Sequence, residues 1–193
     1  MSSITSLSPR TLGDVIPGGL ARSVALVVGG AAFVGLTAQV AIPLPFTPVP
    51  LSLQTFSVLL VGAVLGSRRG VASMALYLLA GVAGVPWFSQ HQSGWAFASF
   101  GYVVGFVLAA WLVGRLAERG ADRTVASTAA LMVLGNLAIY ACGVSGLMAA
   151  TGMGLDRALL AGVVPFLIGD AIKAVVAAIL LPGSWALVAR FRR

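Results

Sequence analysis

The sequence predicts an all-α integral membrane protein with six transmembrane helices, from its composition, its charge-free stretches and the placement of its arginines. Of 193 residues, 59% are hydrophobic and 9% are charged, and the mean hydropathy is +1.02. Soluble domains carry about 25% charged residues, and a globule of this size cannot bury so much apolar surface. The composition therefore excludes a soluble enzyme domain, a disordered chain and, with Cys142 as the single cysteine, a disulfide scaffold.

Charge-free stretches predict the number of spans. Two of them, residues 23–67 and 70–114, hold 45 residues each. A spanning helix needs about 20 apolar residues, so each stretch predicts two helices, divided at the prolines of segment 43–50 and at the polar segment 89–94. The charge-free stretch 124–155 and the last apolar stretch of the chain each add one helix. The predicted spans are residues 20–42, 51–66, 70–88, 98–117, 125–147 and 158–181.

The arginines support this count, because cytoplasmic loops of membrane proteins carry an excess of positive charge. With the N-terminus inside, Arg157 alone lies in an external loop. We therefore expect both termini in the cytoplasm, a cytoplasmic N-terminal segment at 1–19 and a single transmembrane domain at 20–190. The net charge of +7 then reflects membrane orientation and not nucleic-acid binding. The ten predicted cytoplasmic arginines are Arg10, Arg22, Arg68, Arg69, Arg115, Arg119, Arg123, Arg190, Arg192 and Arg193.

The predicted sixth span contains the only charges placed near the middle of the membrane. Asp170 lies about 12 residues from the outer end of this span, and Lys173, the only lysine of the chain, follows three residues later. This spacing puts both side chains on one helix face. Charges at such depth are costly and face a cavity or each other. We expect Lys173 to meet a substrate carboxylate and Asp170 to accept hydrogen bonds from ligand N–H groups; a structural ion pair and a proton relay are the alternatives.

Further polar side chains lie where they could join this pair. Gln54 and Thr55 follow the proline-rich segment, and Tyr102 begins the fourth span. Asn136 and Tyr140 are one turn apart on the fifth span. For Asn136, an interhelical hydrogen bond and a ligand contact are equally consistent with its position.

Aromatic residues flank the predicted second external loop. Trp87, Phe88, Trp95 and Phe97 form either an interfacial belt, the reading favoured for Trp95, or a lid that stacks on a flat apolar ligand. His91, in the same loop, has no second His or Cys nearby and is a poor metal ligand. We therefore expect no metal site.

Small residues recur on the first span at four-residue spacing, as Ala25 with Gly29 and Ala31 with Gly35. Such pairs allow close helix packing within the bundle, or they form a smooth stripe that a partner protein contacts. The sequence is compatible with both.

Motifs for catalysis are absent from the sequence. It contains no glycine-rich run ending in Gly-Lys-Ser or Gly-Lys-Thr, no His-Glu-x-x-His and no Gly-x-Ser-x-Gly. The chain is therefore not expected to be an enzyme or to hydrolyse ATP, and transport or binding remains.

Seven short segments of the chain form an ordered set: residues 38–45, 48–55, 65–70, 76–81, 84–88, 101–106 and 169–173. This set resembles the BioY family, the biotin-specific S components of energy-coupling factor (ECF) transporters. The set covers about residues 25–180. Where the family often has Pro-Thr-Gly-Gly-Tyr, this chain has Ala98-Ser99-Phe100-Gly101-Tyr102.

The resemblance implies a six-helix S-component fold that binds one biotin near its external side, under the loops after spans one and three. It also implies a multi-pass protein of a prokaryotic cytoplasmic membrane that needs no cofactor and works with a membrane coupling protein and two ATPase subunits. The implied docking face is Ala25, Gly29, Ala31 and Gly35. The candidate ligand-binding residues are Gln54, Phe88, Tyr102, Asn136, Asp170 and Lys173. An S component for another vitamin, a self-sufficient carrier that is proton-coupled through Asp170, and a structural scaffold are the alternatives.

Overall fold

The computed structural model describes residues 9–191. Residues 1–8, in the predicted N-terminal segment, and the predicted cytoplasmic Arg192 and Arg193 lie outside the described residues. Short 3-10 turns occur at Leu12–Val15, Ser89–His91 and Val164–Phe166. The regular elements are α1 (Leu20–Ala38), β1 (Ala41–Ile42), β2 (Leu51–Ser52), α2 (Gln54–Val82), α3 (Phe100–Ala117), α4 (Val125–Thr151), α5 (Leu155–Gly162) and α6 (Leu167–Phe191).

Five helical segments of the described chain are long and apolar enough to cross a membrane. The prediction of an all-helical membrane protein is confirmed, and the protein is multi-pass. The difference from the six predicted spans arises in α2, where the predicted spans 51–66 and 70–88 join in one helical segment. The five segments are Leu20–Ala38, Gln54–Val82, Phe100–Ala117, Val125–Thr151 and Leu155–Phe191.

Helix α2 reverses direction at Gly66, where φ is +80° and ψ is 176°. This conformation lies in the region that favours glycine. A Cβ built on Gly70 lies 3.2 Å from the Cα of Gly62, whereas eight residues of straight helix would separate the two positions by about 12 Å. We therefore describe α2 as a hairpin with a first arm, residues 54–65, and a second arm, residues 67–82.

The reversal is held by α3. Glu118 accepts hydrogen bonds from the backbone N–H and the hydroxyl of Ser67, both at 2.8 Å. This N–H is an otherwise unpaired donor at the start of the second arm, so the carboxylate caps it. Gly114 of α3 lies so close to the backbone of residues 66–67 that a Cβ there would overlap it. A small residue at 114 therefore permits the contact that stabilises the turn.

Several predicted span ends are wrong for local reasons. Helix α1 ends at Ala38, because residues 41–42 pair with 51–52 as a two-stranded antiparallel sheet. The second arm of α2 ends at Val82 and not at 88, just before Gly84 with φ +109°. Helix α4 continues to Thr151 and stops at Gly152, whose φ of +71° forms a left-handed cap.

The predicted sixth span, 158–181, is also revised. The helix is interrupted at Val164–Phe166, a 3-10 turn that contains Pro165, and α6 begins only at Leu167. Asp170 therefore lies in the first turn of α6 and not at the middle of a long helix. The helix then continues through Pro182 to Phe191.

The predicted docking stripe on α1 is divided between two faces. Ala25 and Gly29 are exposed, and a Cβ on Gly29 would meet no atom within 4 Å. Ala31 and Gly35 are buried, and a Cβ on Gly35 would lie 3.2 Å from the ring of Trp87. The two pairs are six residues apart, which places them about 120° apart around the helix. Ala31 and Gly35 therefore pack within the chain, and only Ala25 and Gly29 of the predicted docking residues are open.

Contacts at one end of the bundle bring the arginine-bearing segments together. The N-terminal segment is tied to the α2 turn by the ion pair of Asp14 with Arg69, at 2.9 Å. The α3–α4 turn is tied to the C-terminal half of α6 by a hydrogen bond from the Trp185 indole to Asp122, at 2.7 Å. The guanidinium of Arg123 lies 4.4 Å from the centre of the same indole ring. We call this region the arginine end of the bundle.

We expect Gly114→Ala to destabilise the protein by about 1–3 kcal/mol, because the new methyl group overlaps backbone that cannot move aside. Gly183→Ala is the matched control, since it also lies within a helix and its Cβ would meet nothing within 4 Å. This control should be neutral or slightly stabilising. Thermal unfolding followed by circular dichroism in detergent measures both, and equal unfolding midpoints for the two variants would contradict the role of Gly114.

Candidate functional site

The site is built around the ion pair of Asp170 and Lys173 on α6. Lys173 Nζ lies 3.0 Å from Asp170 Oδ1, and the side chains are 13% and 9% exposed respectively. Lys173 also donates to the carbonyl oxygen of Ser52 at 2.8 Å and to the hydroxyl of Thr55 at 2.9 Å. An ammonium group has three donors, so every one of them is used. The predicted pairing of the two charges on one helix face is present in the structure.

Asp170 is held from a second helix as well. Tyr140 of α4 donates its hydroxyl to Asp170 Oδ2, while Lys173 donates to Oδ1. An ionised carboxylate offers about four acceptor positions, so two more donors can be accommodated. The carboxylate is therefore fixed in place and still able to accept hydrogen bonds from a ligand.

The proline-rich segment 43–50 forms a cover over this pair. Its two ends pair as β1 and β2, and the hydroxyl of Thr47 donates to the carbonyl oxygen of Ala161 at 2.7 Å. The bond from Lys173 to the carbonyl of Ser52 ties the end of the cover to α6. The loop is therefore attached to both α5 and α6, and its residues Val49 and Pro50 line the cavity beside the pair.

Gln54 begins a second buried network on the other side of the site. Its amide donates to the hydroxyl of Tyr77 at 2.5 Å, and that hydroxyl donates to the carbonyl of Trp87 at 3.1 Å. The indole of Trp87 donates back to the carbonyl of Tyr77 at 2.9 Å. Gln54 is 4% exposed and Tyr77 is fully buried. The network joins both arms of α2 to the segment before the second loop.

Two small cavities separate these networks, and their volumes are about 50 and 30 Å³. The first touches Gln54 and Phe88, and the second touches Asp170 and Lys173. Sites for small molecules have volumes of about 300–1,000 Å³, so a ligand of that class requires the cover or the aromatic wall to move. The residues that line both cavities are Val49, Pro50, Ser52, Thr55 and Tyr102.

Tyr102 stands between the two cavities and is anchored at its tip. It is 6% exposed, and its hydroxyl donates to the carbonyl oxygen of Gly162 at 2.8 Å. Gly162 is the last residue of α5, so the bond also satisfies a helix-terminal carbonyl. A Cβ on Gly143 would overlap the ring of Tyr102, so the absence of a side chain there makes room for it.

An aromatic wall forms the far side of the first cavity. Phe88 is fully buried, meets the ring of Tyr77 edge-on at 5.2 Å and lies 5.6 Å from the ring of Phe97. Trp95, by contrast, is 70% exposed and lines neither cavity. Phe88 and Phe97 therefore line the first cavity, whereas Trp95 has the exposure typical of a residue in an interfacial belt.

The structure brings five of the six predicted ligand-binding residues to the two cavities and leaves one outside them. Asn136 is half-buried on α4, one turn before Tyr140, and lines neither cavity. Among residues 9–191, no group of three His, Cys, Asp or Glu residues is placed to hold a metal ion. The five residues at the cavities are Gln54, Phe88, Tyr102, Asp170 and Lys173.

Two residues of the site, Ser52 and Tyr77, were not predicted from the sequence. Ser52 acts through its backbone carbonyl, which carries no residue-specific signal, and only the pairing of β1 with β2 brings it to Lys173. Tyr77 was visible as a polar group inside an apolar span. Its role depends on the reversal at Gly66, which places it beside Gln54 although 23 residues separate them.

Comparisons of the whole chain with known proteins agree on one group of relatives. The model of the BioY family matches residues 5–190. The chain is 39% identical over 149 residues to the biotin transporter BioY of Rhizobium etli. That alignment covers 72% of this chain and 79% of the Rhizobium protein. The chain is also 34% identical over 163 residues to the probable biotin transporter BioY of Pyrococcus horikoshii. That alignment covers 83% of this chain and 94% of the Pyrococcus protein.

A solved structure shares the fold. It is a crystal structure of the S-component for biotin from an ECF-type ABC transporter, with a TM-score of 0.74 and 22% sequence identity. The likeness covers 89% of this chain and 91% of that chain. This chain therefore has the S-component fold.

We expect Asp170 and Lys173 to be energetically coupled, because loss of one partner leaves the other charge buried and unpaired. In a double-mutant cycle of Asp170→Asn and Lys173→Met, the coupling in unfolding free energy should be about 1–3 kcal/mol. Arg115 and Glu118 form the matched control, an ion pair with the same spacing at 3.5 Å whose arginine is 54% exposed. Its coupling should stay below about 0.5 kcal/mol. Equal coupling in both cycles would show that the α6 pair has no special cost of burial.

Proposed function

We propose that this chain, which belongs to the BioY family, binds biotin and imports it as the substrate-binding S component of an ECF transporter. It is a component of a transporter and not an enzyme. Of the two relatives named above, one is a biotin transporter and the other a probable biotin transporter, and the structural neighbour is an S-component for biotin. The observation that carries the proposal is the buried pair of Asp170 and Lys173 beside two covered cavities.

The chemistry of the site suits biotin. The ligand has a carboxylate tail, a ureido group with two N–H donors and one carbonyl, and an apolar thioether ring. The site offers an ammonium group in Lys173, acceptor positions on Asp170, and the aromatic wall of Phe88. Such a set can pair the carboxylate and the ureido N–H groups of the ligand in a buried site, which offsets the cost of removing them from water.

The hydrogen bonds of the pair suggest how biotin is oriented. Asp170 has acceptor positions left, so we assign it to the ureido N–H groups. Lys173 has none of its donors left, so a bond to the carboxylate, or to the ureido oxygen in the reverse orientation, must replace the Ser52 carbonyl or the Thr55 hydroxyl. Movement of the 43–50 cover would release Ser52. Opening of the cover and capture of the carboxylate are therefore proposed to be coupled.

We further propose six membrane crossings with both termini in the cytoplasm of a prokaryote. Supporting this, the reversal at Gly66 lets the two arms of α2 cross separately. The α2 turn contacts the N-terminal segment and the end of α3 at the arginine end, whereas the cover and the aromatic wall surround the site at the opposite ends of the helices. Arginine-rich loops are retained in the cytoplasm, which supports a site that opens toward the exterior.

Transport against a gradient needs an energy source, and the sequence contains no phosphate-binding loop. We propose that a membrane coupling protein with two ATPase subunits supplies it. Of the four residues predicted to form the docking face, Ala25 and Gly29 remain available, because they are the exposed pair of α1. The revised docking face is therefore centred on these two residues.

Biotin should raise the unfolding temperature of the purified protein, while thiamine and riboflavin should not.

Lys173→Met should weaken biotin binding about tenfold or more, through loss of a charge-assisted bond. It should also abolish the preference for biotin over biotin methyl ester, which lacks the carboxylate charge. Isothermal titration of both ligands against both proteins measures this. A variant that still prefers the free acid would overturn the assignment of Lys173 to the carboxylate, and stabilisation by another vitamin alone would overturn biotin as the ligand.

Ala25→Leu should weaken co-purification with the coupling protein and leave biotin binding unchanged, because a bulky side chain interrupts a smooth helix face. Val175→Phe is a control at an exposed position of α6 outside that face.

In vesicles, uptake should require the coupling protein, its ATPases and ATP. Uptake by the purified chain alone, driven by a proton gradient, would favour a self-sufficient carrier instead.

A further inference from the structure

The arginine end contains a cavity of about 280 Å³ that the proposed transport mechanism does not use. It lies between the N-terminal segment, the α2 turn and the C-terminal end of α3. Four guanidinium groups and two carboxylates surround it, so the formal charge of its ionisable groups is +2. These six residues are Arg10, Arg68, Arg69, Arg115, Asp14 and Glu118.

Both carboxylates are already engaged. Burial raises the pKa of Asp14, but hydrogen bonds from Arg69 and Thr11 more than offset this and hold its pKa below the ordinary value. In the same way, burial raises the pKa of Glu118, and hydrogen bonds from Ser67 and Arg115 bring its pKa below the ordinary value. Both groups are therefore charged and paired.

The remaining positive charge lies on two arginines. Arg10 and Arg68 form no side-chain hydrogen bond or ion pair with any other residue of the part of the chain that the structure describes, 9–191. Arg69 and Arg115, which pair with Asp14 and Glu118, lie beside them on the same cavity. The cavity therefore presents two guanidinium groups with free N–H donors next to two guanidinium groups that are paired with carboxylates. This arrangement suits a phosphate group, because two phosphate oxygens can accept parallel hydrogen bonds from one planar guanidinium group.

An apolar groove of about 280 Å³ lies next to this cavity, between α1 and the first arm of α2. Leu65 lines both of them. A Cβ on Gly30 of α1 would lie 3.2 Å from one methyl group of Leu65, and a Cβ on Gly13 of the N-terminal segment would lie 3.4 Å from the other. Apart from Leu65, the groove is lined by Ala25, Leu26, Gly29, Gly30, Phe33, Leu60, Val61 and Val64.

We propose that these two features form one binding site for an anionic phospholipid, with the phosphate at Arg10 and Arg68 and an acyl chain in the groove between α1 and α2. Basic pockets between membrane helices on the cytoplasmic side bind anionic headgroups. The groove, which contains no polar side chain, suits a hydrocarbon chain. Since Ala25 and Gly29 line the groove, the lipid occupies this face only while the coupling protein does not.

The test compares phosphatidylglycerol with phosphatidylcholine of the same acyl chains, added to the purified protein and measured by native mass spectrometry. Phosphatidylglycerol should be retained more strongly. Arg68→Gln and Arg10→Gln should each reduce its retention about tenfold, through loss of a charge-assisted bond to phosphate. Arg190→Gln, which removes the same charge from an exposed position outside the cavity, should have no effect. Thermal unfolding of each variant verifies that it is folded.

A second arm of the test separates a lipid from free phosphate. Gly29→Leu fills the groove and should also reduce retention of phosphatidylglycerol, whereas Gly183→Leu, at an exposed position on α6, should not. Glycerol phosphate, which has no acyl chains, should compete poorly. Equal retention of both lipids, or an equal loss in Arg190→Gln, would overturn the site. Full competition by glycerol phosphate would overturn the lipid and identify a site for soluble anions.

Discussion

The structure depends on the burial of two opposite charges at the start of α6. Asp170 and Lys173 lie inside a membrane protein, where an unpaired charge would be very costly. Each is therefore surrounded by partners from other elements, namely Tyr140 of α4, Thr55 of α2 and the carbonyl of Ser52 in β2. These requirements position the covering loop, the first arm of α2, α4 and α6 relative to one another, and they leave the acceptor positions of Asp170 for a ligand.

The two ends of the bundle are stabilised in different ways. At the site, buried polar networks and an aromatic wall leave only small cavities between them. At the arginine end, carboxylates act as caps and ion-pair partners: Glu118 binds the N–H of Ser67, and Asp14 binds Arg69. The turn at Gly66 connects the two ends, because the reversal of α2 places Tyr77 beside Gln54 at the site and Ser67 beside Glu118 at the other end.

Sequence patterns predicted the site well where the interaction is local. The spacing of three residues between Asp170 and Lys173 was sufficient to predict their pairing, because helix geometry alone places them on one face. Local spacing was insufficient on α1. It identified two pairs of small residues, but whether a pair faces the chain or the lipid depends on which side of α1 contacts the second arm of α2. Gly35 therefore packs on Trp87, while Gly29 is open.

The sequence by itself determined that this is a membrane protein, where most of its helical segments lie, which family it belongs to, and which charged residues form the buried pair. These follow from composition, from the length of charge-free stretches and from short motifs, all of which are properties of the chain as written. Only the tertiary structure decided that α6 begins at Leu167, that the two arms of α2 meet directly at Gly66, and that Ser52 and Tyr77 belong to the site. These features depend on backbone groups and on contacts between residues far apart in sequence. The free energy of such contacts arises only when the helices pack together.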